Sequence, residues 1–146
     1  MRFRPLMAAT LFIVTATAAA GAQTSTSLYK RIGGYDAIAA VTDDFLGRLA
    51  NEPLIAPFFA GHSQNTLGKL RMLVIEQVCA AAGGPCVYTG RDMKTAHTGL
   101  GITEEQWNAS VRHFSATLEK FSVPAKEKAE LLGVVGALKA DIVEKM

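Results

Sequence analysis

Residues 83–103 read GGPCVYTGRDMKTAHTGLGIT, and the fold turns on this stretch. Gly83, Gly84 and Pro85 end a helix, because glycine supplies positive φ and proline cannot continue the helical ladder. Gly90 breaks the chain again. A short helical run, Arg91 to Thr98, follows and is closed by Gly99 and Gly101. Met93 and His97 are four apart, so they share one face of that run. Imidazole is the side chain best suited to hold a metal while its second ring nitrogen is fixed by a hydrogen bond. A lone histidine on a mixed helix face is more often a satisfied core or surface group, so the rest of the chain has to decide what His97 is for.

Outward from that stretch, the periodicity is helical throughout. Leu28 to Ile32 is a short apolar piece cut off by Gly33-Gly34. Tyr35 to Ala50 places Ile38, Val41, Phe45 and Leu49 on one stripe, with Thr42 and Leu46 beside it. Asp43, Asp44 and Arg48 fall away from that stripe. Phe58-Phe59 fills a corner between Pro57 and Gly61, where two aromatic rings plug a core or wall a flat ligand. Asn65 to Ala82 carries Leu67, Leu70, Val74 and Val78 on one stripe. Thr103 with Gln106 three later fits a capping box, opening a helix to about Phe121 whose face is Trp107, Val111, Phe114, Leu118 and Phe121. After Pro124 a last helix places Leu131, Val135, Leu138 and Ile142 on one face. Alternating strand patterns do not persist anywhere, so the expectation is an all-α domain with helices packed around one core.

Residues 1–22 have the three parts of a secretory signal: Arg2 and Arg4, an apolar run from Leu6 to Ala20, and the small-residue site Ala20-Gly21-Ala22. The apolar run is shorter than the roughly 20 residues a spanning helix needs, which favours cleavage after Ala22 over an uncleaved anchor. Residues 23–27 then form a short polar leader, and residues 28–146 form the domain. Removing Arg2 and Arg4 takes the 15 basic residues to 13, equal to the 13 acidic ones. A neutral domain has no basic face for nucleic acid and no basic amphipathic stretch for a membrane surface. The expected location is outside the cytoplasm, in the periplasm. Cys79 and Cys86 flank the Gly-Gly-Pro turn; an oxidising compartment allows a disulfide, and two unpaired thiols are the alternative. CxxC and CxxCH spacings are absent, which removes thioredoxin-type chemistry and c-type haem attachment.

In this order the parts resemble the group I truncated haemoglobins, over residues 28–142. The resemblance is carried by Tyr29 to Gly34 (Tyr-x-x-Ile-Gly-Gly), by Phe58-Phe59, and most specifically by Gly83-Gly84-Pro85, Tyr88-Thr89-Gly90, Met93-Lys94, His97 and Gly99 to Ile102-Thr103. It implies a two-over-two helical sandwich around haem b. It also implies that His97 is the proximal iron ligand, that Phe59 packs on the haem face, and that Phe45, Met93, Ile102 and Trp107 line an apolar pocket. Tyr88 and Lys94 fall at pocket-edge positions; Lys94 reaches a haem propionate or is simply solvated.

Departures from the family pattern bear on mechanism. Members that hold oxygen tightly place a tyrosine on the second helix and a glutamine on the long distal helix. Here those positions are Leu46 and Val74, with Leu70 at the usual gate. Oxygen in such a pocket carries partial negative charge, and a donor stabilises it by about 1–3 kcal/mol. Without a donor, oxygen leaves faster and autoxidation is easier. Gln77 shares the face of Leu70 and Val74 and is the nearest polar candidate; an exposed glutamine is its plainer reading. His62, in a polar corner, is expected to be solvated, with service as a sixth iron ligand as the sharper alternative, and His113 is expected to be exposed.

Three functions follow. The leading one is an exported haem b protein binding a diatomic gas (oxygen, nitric oxide or carbon monoxide) at iron held by His97, with a reductase as a partner. The second is a haem oxidoreductase acting on nitric oxide, nitrite or peroxide. The third is a redox-sensing helical protein that uses Cys79 and Cys86.

Overall fold

The Tyr35-to-Ala50 periodicity is realised as helix α2, Gly34–Asn51, in a computed structural model that describes residues 26–145. The leader expected over residues 1–22 lies outside the described residues, as does most of the polar segment that follows it. Before α2 comes a single turn, α1 (Leu28–Arg31), capped by the Ser27 hydroxyl, which accepts from the Lys30 N–H. A 3₁₀ turn, Ala56–Phe58, holds the phenylalanine corner. Helix α3 (Gln64–Ala81) starts at Ser63, whose hydroxyl accepts from the Thr66 N–H at 3.2 Å. Helix α4 is the short run Met93–His97. Helix α5 (Glu104–Lys120) opens with the expected capping box, Thr103 and Gln106 each accepting the other's backbone N–H. Helices α6 (Ala125–Gly136) and α7 (Lys139–Ile142) finish the chain.

The packing is helix on helix. Helix α2 lies against α3 and α5, α5 against α6, and α4 against α7. Among the described residues there is no strand, only an isolated parallel bridge between Thr103 and Lys145. One buried cluster joins Leu28, Ala82, Phe114, Leu118 and Leu131, with the Phe45 ring edge-on to Phe114 at 5.2 Å between centroids. A second joins Ile38, Ile75 and Cys79 where α2 crosses α3. Burial of these side chains, each contributing about 1.5–3 kcal/mol, is what aligns the long helices.

Two expectations need correction. The last helix is two. Leu138 N–H donates to Val135 at 2.9 Å, three residues back instead of four, and the ladder is interrupted between Gly136 and Lys139. Gly133 and Gly136 weaken this stretch as helix, and the break lets α7 turn onto α4. His113 is not exposed: its Nε2 pairs with Glu52 Oε2 at 2.7 Å, because the end of α2 abuts α5. Asp44 lies off the apolar stripe, as expected, and ties α2 to α5. It accepts from Arg48 at 2.6 Å, from the Thr117 hydroxyl at 2.8 Å and from Lys120, which together hold its carboxyl far below the usual range.

Candidate functional site

Helix α4 has five residues and buries none of them, so its ends are set by polar contacts. At its start the Asp92 carboxylate accepts from the Thr95 N–H at 2.9 Å and from the Thr95 hydroxyl at 2.7 Å, and both bonds lower the Asp92 pKa. At its end His97 Nδ1 lies 2.8 Å from the Met93 carbonyl oxygen. A carbonyl only accepts, so Nδ1 carries the proton and Nε2 keeps the lone pair. That is the tautomer a metal-binding imidazole needs.

His97 faces a single cavity of about 1020 Å³. This sits at the upper end of the roughly 300–1,000 Å³ of small-molecule sites, and it is walled mainly by apolar side chains. Helix α2 contributes Phe45 and Leu46, α3 contributes Leu70, Val74 and Gln77, and the corner contributes Phe58 and Phe59. Tyr88, Met93, Ile102 and Trp107 complete the side that carries His97. Of the eleven positions singled out in the sequence, ten therefore line the cavity. Lys94 does not; its side chain is exposed. Two cations that sequence reasoning missed, Lys69 on α3 and Arg91 just before α4, line it instead, together with His62. Lys69 directly precedes Leu70, which was the available signal. His62 is exposed as expected, and still reaches the cavity.

The loop between α3 and α4 is fastened to α3. Cys79 and Cys86 form a disulfide, with sulfurs 2.01 Å apart and Cα atoms 5.8 Å apart, so the bonded reading holds and the free thiols do not. Glu76 accepts from Thr89 N–H at 3.2 Å and from its hydroxyl at 2.9 Å. Tyr88 donates its hydroxyl to the Arg91 carbonyl at 2.7 Å, and burial raises its pKa. Gly84 is required by close approach: a Cβ there would sit 2.5 Å from the Tyr29 ring and 2.7 Å from the Cys79 sulfur.

Residues 27–144 match the family model described as Bacterial-like globin. The chain belongs to the bacterial-like globins. It is 34% identical to the Group 1 truncated hemoglobin GlbN of Mycolicibacterium paratuberculosis over 116 residues, which cover 80% of this chain and 83% of that protein. The truncated haemoglobin of Tetrahymena pyriformis, solved in its Fe(III) form, matches with a TM-score of 0.74 at 21% identity, over 81% of this chain and 98% of that one. The 2/2 haemoglobin of Synechococcus sp., solved in the cyanomet state with covalently attached haem, matches with a TM-score of 0.73 at 23% identity, again over 81% and 98%. These two likenesses establish the fold: a two-over-two globin sandwich, as the resemblance implied.

Within this globin the donor set fits an iron porphyrin. One imidazole offers a basic Nε2, the walls are mainly apolar, and the cations Lys69 and Arg91 are among the lining residues. The polar contents of the α2–α3 wall are sparse. Thr42, buried, and Gln77, half-buried, both line the cavity, and the Gln77 side chain makes no hydrogen bond to protein among the described residues.

Proposed function

We propose that this chain is an exported haem b protein that binds a diatomic gas at iron held by His97. The observation that carries the reading is the His97 ring, its Nδ1 donating to the Met93 carbonyl while the side chain faces an apolar cavity of about 1020 Å³. Haem, when bound, supplies an iron coordination position for oxygen, nitric oxide or carbon monoxide. The residues of this chain do the rest. The Met93 carbonyl fixes the tautomer and the plane of His97 and raises its basicity. Phe45, Phe59 and Trp107 give a flat ligand aromatic and apolar walls. Lys69 and Arg91 are the groups in place to hold carboxylates, in the role expected of Lys94.

Leu46, Leu70 and Val74 make that part of the α2–α3 wall apolar and offer no hydrogen bond. This favours rapid, reversible gas binding over oxygen-dependent turnover of nitric oxide. Cys79 is fully buried, which favours a structural bond over a redox sensor. The same disulfide supports export, because such bonds persist in oxidising compartments. No helix among the described residues is long and apolar enough to cross a membrane.

The test is an absorption spectrum of residues 23–146 with haem added, ferric and ferrous, with and without carbon monoxide. A stoichiometric haem complex whose ferrous Soret band shifts with carbon monoxide is the expected result. No stoichiometric haem uptake would refute the reading. Export is tested separately, by expressing the full chain and sequencing the N-terminus of the periplasmic fraction. Gln23 is the expected first residue; retention in the cytoplasm with Met1 intact removes the export proposal alone.

A further inference from the structure

The residues that follow α7 fold back over the His97 turn. The Glu144 carboxylate accepts from the Gly99 N–H at 2.8 Å through one oxygen and from the Gly101 N–H at 2.5 Å through the other. The backbone completes the strap. Glu144 N–H and Lys145 N–H both donate to the Ile102 carbonyl, at 2.9 and 3.1 Å, and Glu104 N–H donates to the Lys145 carbonyl at 3.1 Å. Gly99 and Gly101 have φ of 88° and 64°, in the left-handed region where glycine is at ease. Their two N–H groups form a small anion-binding concavity directly after His97, and one carboxylate from the far end of the chain fills it.

Little else holds the C-terminal end of α4. The helix has five residues, none buried, and it packs on α7, the four-residue helix that leads into the strap. A helix this short has no independent stability. Where His97 stands relative to the cavity therefore depends on where the Gly99–Gly101 turn is pinned.

We propose that Glu144 is a positioning residue for His97: by binding both turn amides it sets the height and ring angle of the imidazole against an iron porphyrin. This rests on the haem reading of His97. Outer contacts that orient a metal ligand are typically worth 10–100-fold in affinity, and Glu144 acts one step further out, through backbone.

The experiment uses the haem-loaded protein as wild type, Glu144→Ala, Glu144→Gln and, as a control on a neighbouring exposed carboxylate, Asp141→Asn. Three quantities are measured: the ferrous iron–histidine stretch by resonance Raman, the rate of haem transfer to apomyoglobin, and amide exchange at Gly99 and Gly101. In Glu144→Ala the stretch should move and broaden, haem should leave on the order of 10-fold faster, and both amides should exchange faster. Glu144→Gln keeps one acceptor oxygen and should fall between, while Asp141→Asn should match wild type. A wild-type stretch and haem-loss rate in Glu144→Ala overturn the proposal and leave the haem reading standing. If the alanine variant does not fold, Glu144→Gln decides, and unmoved values there overturn it. Absence of an iron–histidine band in wild type takes down the haem reading and this inference together.

Discussion

Helices α3 and α4 line the same cavity, yet one has 18 residues and the other five. Helix α3 is held by burial: Ile75 and Cys79 are completely inaccessible and lock it across α2. Helix α4 buries nothing and is held by hydrogen bonds, from Asp92 at one end and from Glu144 beyond the other. Burial is non-directional and averages over many contacts, so the α2–α3 wall tolerates change gradually. Hydrogen bonds fix distance and angle, so the His97 side is geometrically sharp and depends on few groups. The comparison suggests a division of work. Packing shapes the wall where a gas would sit, and polar ties aim the one side chain that would hold iron.

The most severe way to break this comparison is His97→Ala. It removes the only ligand on the sharp side, so the protein should lose most of its haem while keeping its helical circular dichroism, because α2, α3 and α5 are held by burial. Undiminished haem content would contradict the assignment of His97. The converse break is Leu118→Ala. Leu118 is fully buried between α5 and its neighbours, so the cost should be about 2–5 kcal/mol of stability by denaturant unfolding. The iron–histidine band of the folded fraction should stay in place.

Leu46→Tyr sharpens the comparison by adding a polar donor to the apolar wall. Oxygen release measured by stopped flow should slow about 10-fold, the value of one hydrogen bond of roughly 1.4 kcal/mol. An unchanged rate would mean Leu46 does not face the ligand. The smallest effect concerns the polar tie between α2 and α5. Asp44 has its folded pKa depressed by Arg48, Lys120 and Thr117. Its contribution is therefore fully present above the unfolded carboxylate value of about 4 and is lost as pH falls below it. Melting temperature should drop with acidification below that point, and Asp44→Asn should flatten the slope. Identical slopes would show that other carboxylates carry the acid sensitivity.

Most of the fold and part of the site are legible in the sequence. Helices α2, α3 and α5 repeat their apolar residues at helical spacing, and the Thr103–Gln106 capping box fixed where α5 begins to within a residue. The resemblance to the truncated haemoglobins pointed to ten positions that line the cavity, His97 among them. What escaped were contacts between residues far apart in the chain. In sequence Lys69 is marked only by its place beside Leu70 and Arg91 by nothing, and only the cavity shows that they line it where Lys94 does not. The Glu144 strap joins residues 43 and 45 positions apart, and the His113–Glu52 pair spans 61. No local pattern encodes either.

The sequence alone determined an all-α domain and the starts of its long helices, and it marked out His97. Those properties are local: periodicity, capping and glycine punctuation act within a turn or two of the chain. Only the tertiary structure decided that the two cysteines are joined, that the last helix breaks so that α7 meets α4, and that Glu144 closes on the turn after His97. Each of these depends on where two distant segments come to rest, and that is settled by the packing of the whole core rather than by any stretch within it.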